Sequence, residues 1–321
     1  MVLCDDICRF LAENGLECRP ECIDGQSVIH VEDRAEIIPV EVYAMSQIEA
    51  ENASERLKTV IRQFSEETGR QPLIITEDRW KSQQKMMHAR LLAHLQIFTQ
   101  IYARNCEIRK IDKKTAADFL AANHSYGDAS CRYRYGLFLK RYTGHTCSLA
   151  IDRPQAGDLV AVATFSNGRK WIKGDKTIRS YEWTRYASLP GVRLSGGMGK
   201  LLQAFIEDVK PDDIMTYADL EWSEGKVYEQ LGFTLEGVKS PVLFSVDIES
   251  WQRKAHTGLA VTSGDPRLRY AHTPPSRGWH VSSGYQPIQS MCFAASQSEN
   301  HTRYFRNLGS NKYRLKLTDY Q

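Results

Sequence analysis

A glycine-rich turn, Ser195-Gly-Gly-Met-Gly-Lys200, stands where an alternating sequence gives way to a helical one. The run Tyr181–Tyr186 has the period of a half-buried strand, whereas the apolar residues of 201–209 recur as on one helix face. Glycine lets the backbone approach a ligand, and the free N–H groups and dipole of a helix start attract an anion. The turn predicts a pyrophosphate site with Lys200 as an added cation, unless it merely closes a βα unit.

A second strand and a second helix follow this turn. Ile214–Ala218 is a short strand-like run, and a helix begins near Ser223. That helix carries Tyr228 on its apolar side, and Gly232 is placed to cap it. Residues 181–233 therefore predict a β-turn-α-β-α unit with glycines at its first strand-to-helix turn.

The segment Val227-Tyr-Glu-Gln-Leu-Gly-Phe233 resembles the Y-x-x-x-G-F segment of the GNAT N-acyltransferase superfamily. In that family a tyrosine on the helix after the fifth strand protonates the thiolate of the leaving coenzyme A. The resemblance implies this role for Tyr228, whose alternative is an aromatic side chain packed on the sheet.

The glycine turn lies where the same family has its pyrophosphate loop, R/Q-x-x-G-x-G/A. Arg193-x-x-Gly196 fits this pattern, but the next expected glycine is Met198. Shifting by one residue gives Gly197-x-Gly199 but places Leu194 where Arg or Gln belongs. The resemblance implies acetyl-CoA or another acyl-CoA, bound by Arg193 and residues 196–200, and an amine as the acceptor.

A further resemblance covers roughly residues 73–235. The order GGMGKLL, TYAD and W-S-x-G-x-x-Y-x-x-L-G-F is similar to the C-terminal domain of phage proteins described as homing-endonuclease-like, which are related to the Mom family of DNA base-modifying proteins. It also takes in the segments Ile75–Trp80, Ile101–Ile111 and Phe119–Gly127. This resemblance implies two alternatives to an acyltransferase: a nucleobase-modifying enzyme, or an inactive GNAT-like module that binds nucleic acid.

Acyl transfer to an amine needs a base for the amine proton, dipoles for the oxyanion and an acid for the leaving sulfur. Glu182, Asp219 and His124 are the candidate bases. A lone histidine after a helix is more often a cap or a satisfied polar group. The Mom-like resemblance implies a His and an Asp at these places, with a metal ion beside them as one alternative. We expect His124, Asp219 and Tyr228 to line one cleft with the backbone of 196–200 at its floor.

Two stretches could contact nucleic acid. Cations alternate with aromatic residues at 132–142: Arg132, Tyr133, Arg134, Tyr135, Lys140, Arg141 and Tyr142. Lys312, Arg314 and Lys316 form a second basic edge. Cations contact phosphates and aromatic rings stack on exposed bases, so DNA is one possible partner; a solvated strand face is the other interpretation.

The composition is that of an ordinary globular chain: 321 residues, 42% hydrophobic, 25% charged and a net charge of +3. No apolar run reaches the roughly 20 residues that span a bilayer, and acids stand where a signal peptide needs basic residues. We expect a cytoplasmic protein without a membrane partner. Four of its 8 cysteines lie at positions 4, 8, 18 and 22, a spacing that differs from the shorter knuckles of the usual zinc sites. Cys4 and Cys8 lie one turn apart on a predicted helix, which favours packing with Ile7 and Leu11 over metal binding.

The elements predict a mixed α/β fold: a small α/β domain at 1–97, then a GNAT-like domain at 98–321 with a central twisted mixed sheet and flanking helices. A long irregular insertion is expected at about 241–300, and a final hairpin from 302–306 and 312–317. In the phage proteins the first region is often a nuclease, with carboxylates and a lysine around a metal. Glu32, Asp33 and Glu41 could be such acids, but Tyr43 replaces the lysine, which favours a vestigial or unrelated domain.

Overall fold

The computed structural model describes residues 2–32, 34–143, 153–256 and 301–319. The fold is mixed α/β, with a mixed sheet and flanking helices, as the sequence predicts. Two larger sheets organise the chain, one from its first quarter and one from the rest.

The N-terminal sheet has the strand order β1-β2-β3-β4, with a parallel pair at β3 and β4. Its strands are β1 (Cys18–Ile23), β2 (Gln26–Val31), β3 (Ala35–Val40) and β4 (Leu73–Thr76). Its helices are α1 (Val2–Glu13), α2 (Gln47–Thr68), α3 (Glu77–Ser82) and α4 (Gln84–His94). Apolar residues of α1 and α4 bury one face of this sheet, and those of α2 bury the other.

Two details of this region differ from the prediction. Strand β1 was not predicted, because most of its side chains are exposed and give no apolar alternation. Residues 77–95 have the composition of a single helix, but the structure divides them into α3 and α4 at Gln83, whose φ of −127° and ψ of 38° are not helical.

The rest of the chain alternates strands and helices. Its strands are β5 (Thr99–Tyr102), β6 (Cys106–Lys110), β7 (Tyr133–Leu139), β8 (Leu159–Phe165), β9 (Arg169–Lys173), β10 (Lys176–Ser188), β11 (Val192–Ser195), β12 (Asp213–Asp219), β13 (Thr234–Lys239), β14 (Leu243–Asp247), β15 (Arg253–Ala255), β16 (Thr302–Arg306) and β17 (Ser310–Lys316). Its helices are α5 (Lys113–Asn123), α6 (Gly197–Val209) and α7 (Lys226–Gln230), with a short 3-10 turn at Ala103–Asn105.

The central sheet has the order β13-β17-β12-β10-β8-β7-β6, and β9 forms a hairpin with β10. Strands β10 and β12 run parallel but pair only at Ser180–Glu182 with Asp213–Met215. Beyond this point β10 pairs with β8 and β12 with β17, so the two strands separate. We call the opening that begins at Trp183 and Thr216 the strand gap.

The central sheet has two distinct faces. Helix α6 packs on the face that carries Ala161, Ala163 and Phe165 of β8, which we call the α6 face. Helix α5 packs on the opposite side, against Val162 and Ala187, which we call the α5 face. Successive side chains of a strand point to opposite faces, so this division assigns the regularly paired residues of β8, β10 and β12 to one side or the other, with irregular pairing at Val160 and Thr184.

The end of the chain does not form the predicted hairpin. Strand β16 pairs with β14, in a three-stranded sheet with β15, whereas β17 enters the central sheet between β12 and β13. The part of the expected insertion at 243–255 is therefore ordered, and the part at 257–300 lies outside the described residues. No helix among the described ranges is long and apolar enough to cross a membrane.

Candidate active site

The glycine turn joins β11 to α6 in a conformation that needs glycine. Gly196 caps the helix with a φ of 77°, a left-handed value that side chains rarely adopt. A Cβ on Gly197 would lie 2.5 Å from a Leu194 methyl carbon, so packing also excludes a larger residue there. The first intrahelical bond runs from Lys200 N to Gly196 O at 3.0 Å. The N–H groups of residues 197–199 precede it and are the anion-attracting donors of the helix start.

A cleft of about 590 Å³ opens beside this turn. Gly196–Gly199 line one side of it, and Val227 of α7 and Leu231, which caps that helix, line another. The third side comes from the N-terminal region, through Arg90 of α4, and from Trp222. The cleft therefore lies between the two halves of the chain, with the helix start at one wall.

Arg90 is an unusual cation for this cleft. Its guanidinium donates to the carbonyl oxygens of Ile74, Glu221 and Trp222 at 2.7–2.9 Å and lies 4.3 Å from the Trp222 ring centroid. It forms no ion pair with a carboxylate among the described residues. Burial, followed by the charge of Arg79, lowers the pKa of Arg90 to about 9. An anion in the cleft would relieve this uncompensated charge.

The two predicted cations of the turn differ in availability. Arg193 is exposed, lines the cleft, and donates to the side-chain amide oxygen of Gln96 at 3.3 Å. The ammonium of Lys200 instead donates to the carbonyl oxygens of Ala103 and Cys106, at 2.9 and 2.6 Å. Lys200 thus secures the β5–β6 connection to α6, and Arg90, which the sequence did not suggest, is a cation in the cleft wall.

Tyr228 lies at the strand gap on the α6 face. Its ring packs against Trp183, Phe233 and Tyr313, with centroids 5.6–6.0 Å apart. Thr216 donates to the Trp183 carbonyl at 3.1 Å and so bridges the narrow end of the gap. Burial raises the pKa of Tyr228, and a hydrogen bond with Thr216 acts in the opposite direction. The phenol therefore keeps its proton at neutral pH and can donate it.

His124 and Asp219 both lie on the α5 face. His124 caps the C-terminus of α5, and Asp219 ends β12 on the same side as Met215 and Tyr217. Burial and the charges of Arg185 and Arg79 lower the pKa of His124 to about 3, against the attraction of Asp219. The imidazole is therefore neutral at physiological pH.

The hydrogen bonds of His124 fix its tautomer. The backbone N–H of Tyr126 donates to Nδ1 of His124 at 3.1 Å, so the proton of the neutral ring is on Nε2. The Nε2–H group of His124 remains free to donate a hydrogen bond, whereas the lone pair on Nδ1 already accepts one from Tyr126. His124 therefore suits hydrogen-bond donation better than proton abstraction.

A buried ionic network holds Asp219. Its carboxylate accepts from Arg79 at 3.1 Å and from the Glu221 backbone N–H at 3.0 Å. Arg79 also pairs with Glu221 at 3.2 Å, and Arg253 pairs with both Glu221 and Asp78. Arg79 and Glu221 are only 3% and 1% exposed. This network ties α3 of the N-terminal region to the end of β12. The resemblance included Arg79 in Ile75–Trp80 and Asp219 in TYAD, but it did not indicate that these residues pair.

The expected single cleft is wrong. Tyr228 and the glycine turn lie on the α6 face, whereas His124 and Asp219 lie on the α5 face with Glu182, which pairs with Met215. The sequence cannot reveal this, because the side of a residue follows from strand pairing. At the strand gap Trp183 and Thr216 are both buried, and the Thr216 hydroxyl donates to the Trp183 carbonyl.

The pKa of His124 makes stability depend on pH. Below about pH 6.5 the unfolded chain binds a proton at this histidine and the folded chain does not, so stability is lost as the pH falls toward 3. From pH 6.5 to 5 we expect the wild type to lose about 2 kcal/mol more than the variant His124→Gln. Urea unfolding at several pH values measures the difference. His301→Gln is the control, because the His301 side chain is 54% exposed; parallel pH curves for wild type and His124→Gln would contradict the assignment.

No group of three or more His, Cys, Asp or Glu residues that could hold a metal occurs within the described ranges. Cys4 is buried on α1 with Leu3 and Ile7, as the packing interpretation predicts, whereas Cys22 is exposed. Glu32 and Glu41 belong to the N-terminal region, and Asp33 lies outside the described residues.

No protein-family model and no curated protein matches the sequence. Among solved structures, the chain is similar to an acetyltransferase of Bacillus subtilis in complex with CoA, at 11% identity and a TM-score of 0.33, over 66% of this chain and 99% of the other. It is similar to Eis1 from Mycobacterium abscessus, at 14% identity and a TM-score of 0.30, over 45% of this chain and 34% of the other. It is also similar to a conserved protein of Enterococcus faecalis V583, described as a probable N-acyltransferase. The identity is 14% and the TM-score 0.30, over 46% of this chain and 36% of the other. With scores this low, function has to be inferred from the chain's own geometry.

Proposed function

We propose that the protein is an acyl-CoA-dependent N-acyltransferase. The observation that carries this proposal is the position of Tyr228: its half-buried ring lies at the strand gap, and its neighbours Val227 and Leu231 line a cleft that begins at a helix N-terminus with a glycine turn. The resemblance of Val227–Phe233 to the GNAT segment supports it, since β12 is the fifth strand along the central sheet and α7 follows it.

The cleft fits the chemistry of acyl-CoA. Its pyrophosphate matches the free N–H groups of residues 197–199, and Arg90 and Arg193 offer positive charge on the walls. When bound, acyl-CoA supplies the thioester carbonyl that an amine attacks and the sulfur that leaves. The phenol of Tyr228 would then give its proton to that sulfur as the carbon–sulfur bond breaks.

Glu182 is the base that the geometry favours. Asp219 is already paired with Arg79, and the lone pair of His124 already accepts from Tyr126. Glu182 stands on the α5 face directly before Trp183, at the mouth of the strand gap. An amine entering from this face would give its proton to Glu182, while Tyr228 acts from the other side of the sheet. His124 and Asp219 would orient the acceptor.

Binding of acetyl-CoA tests the glycine turn. The variant Gly199→Glu adds a carboxylate at the third position of α6, where a Cβ meets only the tip of Leu231 at 3.3 Å. A glutamate there favours the helix but repels a pyrophosphate, so the fold should persist while affinity falls at least 10-fold. Isothermal titration calorimetry at low salt measures this loss.

The matched control is Gly199→Gln, which adds nearly the same volume without the charge. It should bind acetyl-CoA more tightly than Gly199→Glu. Equal affinity of wild type and Gly199→Glu would show that the pyrophosphate lies elsewhere. Absence of heat and of a thermal shift for the wild type at millimolar acetyl-CoA would overturn the proposed function itself.

A further inference from the structure

We propose that the part of the α5 face formed by β9, β10, β12 and β17 is a docking platform for single-stranded nucleic acid. The face lies beyond the helix α5 and carries aromatic and cationic side chains that are partly or fully exposed. Its partner is recognised through phosphates and stacked bases. This inference concerns binding alone and does not depend on the acyltransferase proposal.

Strand register brings two aromatic rings to this face. Trp171 of β9 pairs with Ile178 of β10, and Glu182 of β10 pairs with Met215 of β12. Paired residues point to the same side, and every second residue along a strand does so too. Trp171 and Tyr217 therefore share the face of Glu182. From the strand rise and spacing they lie ~20 Å apart, a span of several nucleotides.

The exposure of Trp171 needs an explanation. The ring is 48% exposed, and its neighbour Ile172 is 81% exposed, on a hairpin at the edge of the sheet. Lysine and arginine on an edge strand prevent sheets from aggregating, but an exposed tryptophan and isoleucine do the opposite. A tryptophan in this position is suited to stack on a base, because every base offers a flat π-face.

Cations surround the two rings. Arg169 pairs with Ser180 on the same face, and Lys239 places its ammonium 5.5 Å from the Tyr217 ring centroid. Both are exposed, and neither forms an ion pair with a carboxylate in the described ranges. Lys312 and Arg314 of the predicted basic edge also lie on this face and share Glu236 as an ion-pair partner. Cations spaced along strands match the repeating phosphates of a nucleic acid.

Other partners fit this face less well. A membrane surface needs a continuous apolar area, whereas here charged residues separate the two rings. The broad face of a multi-stranded sheet does not enter a duplex groove, which admits an α-helix or an isolated two-stranded ribbon. A single strand exposes the bases that the rings can stack on, so it is the occupant that both the aromatic and the cationic residues favour.

The test is binding of a fluorescent 12-nucleotide single-stranded DNA to the full chain, measured by anisotropy at several salt concentrations. We expect affinity to fall steeply as salt rises, and Trp171→Ala and Tyr217→Ala each to weaken binding about 10-fold. Tyr217→Phe keeps the ring and should bind like the wild type. Tyr43→Ala removes a tyrosine that is 54% exposed in the N-terminal region, and it should have no effect.

Several outcomes would overturn the proposal. The first is that the wild type does not bind the single strand at low salt. The second is that it binds a duplex of the same length with equal affinity. The third is that Trp171→Ala binds the single strand as tightly as the wild type while its melting temperature is also unchanged. Equal loss in Tyr217→Phe and Tyr217→Ala would show that stacking is not involved. Binding to anionic lipid vesicles that exceeds binding to DNA would identify a membrane surface instead.

Discussion

Replacing Tyr228 with phenylalanine is expected to lower the kcat of acyl transfer at least 100-fold while the affinity for acyl-CoA stays within a few-fold of wild type. General acids contribute roughly 10²–10⁴-fold to a rate, and the variant removes only the proton that the leaving sulfur needs. The ring contacts with Trp183, Phe233 and Tyr313 remain, so the fold should be unchanged. Steady-state kinetics with saturating acetyl-CoA and an amine acceptor measures the loss.

A tyrosine elsewhere in the same half of the chain supplies the control for this experiment. Tyr102 on β5 is half-buried and lies outside the strand gap, so Tyr102→Phe should leave kcat unchanged. Whether Tyr228→Phe changes kcat or KM distinguishes proton donation from substrate binding. A rise in KM with unchanged kcat for Tyr228→Phe would mean that the phenol binds substrate and donates no proton.

Replacing Arg79 with methionine is expected to destabilise the folded chain by about 3–5 kcal/mol, because it leaves the largely buried carboxylate of Asp219 without its cation and removes one of the two cations paired with Glu221. Asp219 would lose the cation that holds it at 3.1 Å, and Glu221 would keep Arg253 alone. Methionine fills a similar volume, so the loss would report charge compensation more than packing. Guanidinium unfolding followed by fluorescence measures the change in the free energy of unfolding.

An exposed ion pair provides the comparison. Lys114 and Asp118 on α5 are 86% and 64% exposed, so Lys114→Ala should cost less than about 1 kcal/mol. If Arg79→Met cost no more than Lys114→Ala, the network would not be what fastens α3 to the end of β12. Arg79→Met also removes the cation that holds the Asp219 carboxylate in place. Measuring the activity of the folded variant would show whether that carboxylate needs a fixed position.

Local signals in the sequence were sufficient for several elements. Apolar alternation predicted a strand at Tyr181–Tyr186, and β10 contains it. The glycine turn, the helix after it and the strand at 213–219 were predicted for the same reason. Gly232 has a φ of 88°, as a helix cap requires. These features depend on residues close in sequence, whose period and backbone preferences are set locally.

Arrangements over long range were not accessible in this way. The pairing of β17 with β12 joins residues about 100 positions apart, as in Asp219 with Ser310, and no local pattern specifies such a partner. For the same reason the ionic network was missed. Arg79, Glu221 and Arg253 each resemble an ordinary surface charge until three distant segments meet.

The sequence by itself determined the mixed α/β class, the glycine turn at a helix start and the candidate residues Tyr228, Asp219, His124 and Glu182. Only the tertiary structure decided that Tyr228 lies on one face of the central sheet while the other three lie on the opposite face. A strand alternates its side chains whatever its neighbours are, so the sequence gives the alternation but not its direction. The direction follows from which helix covers which side, and that depends on contacts formed between distant parts of the chain.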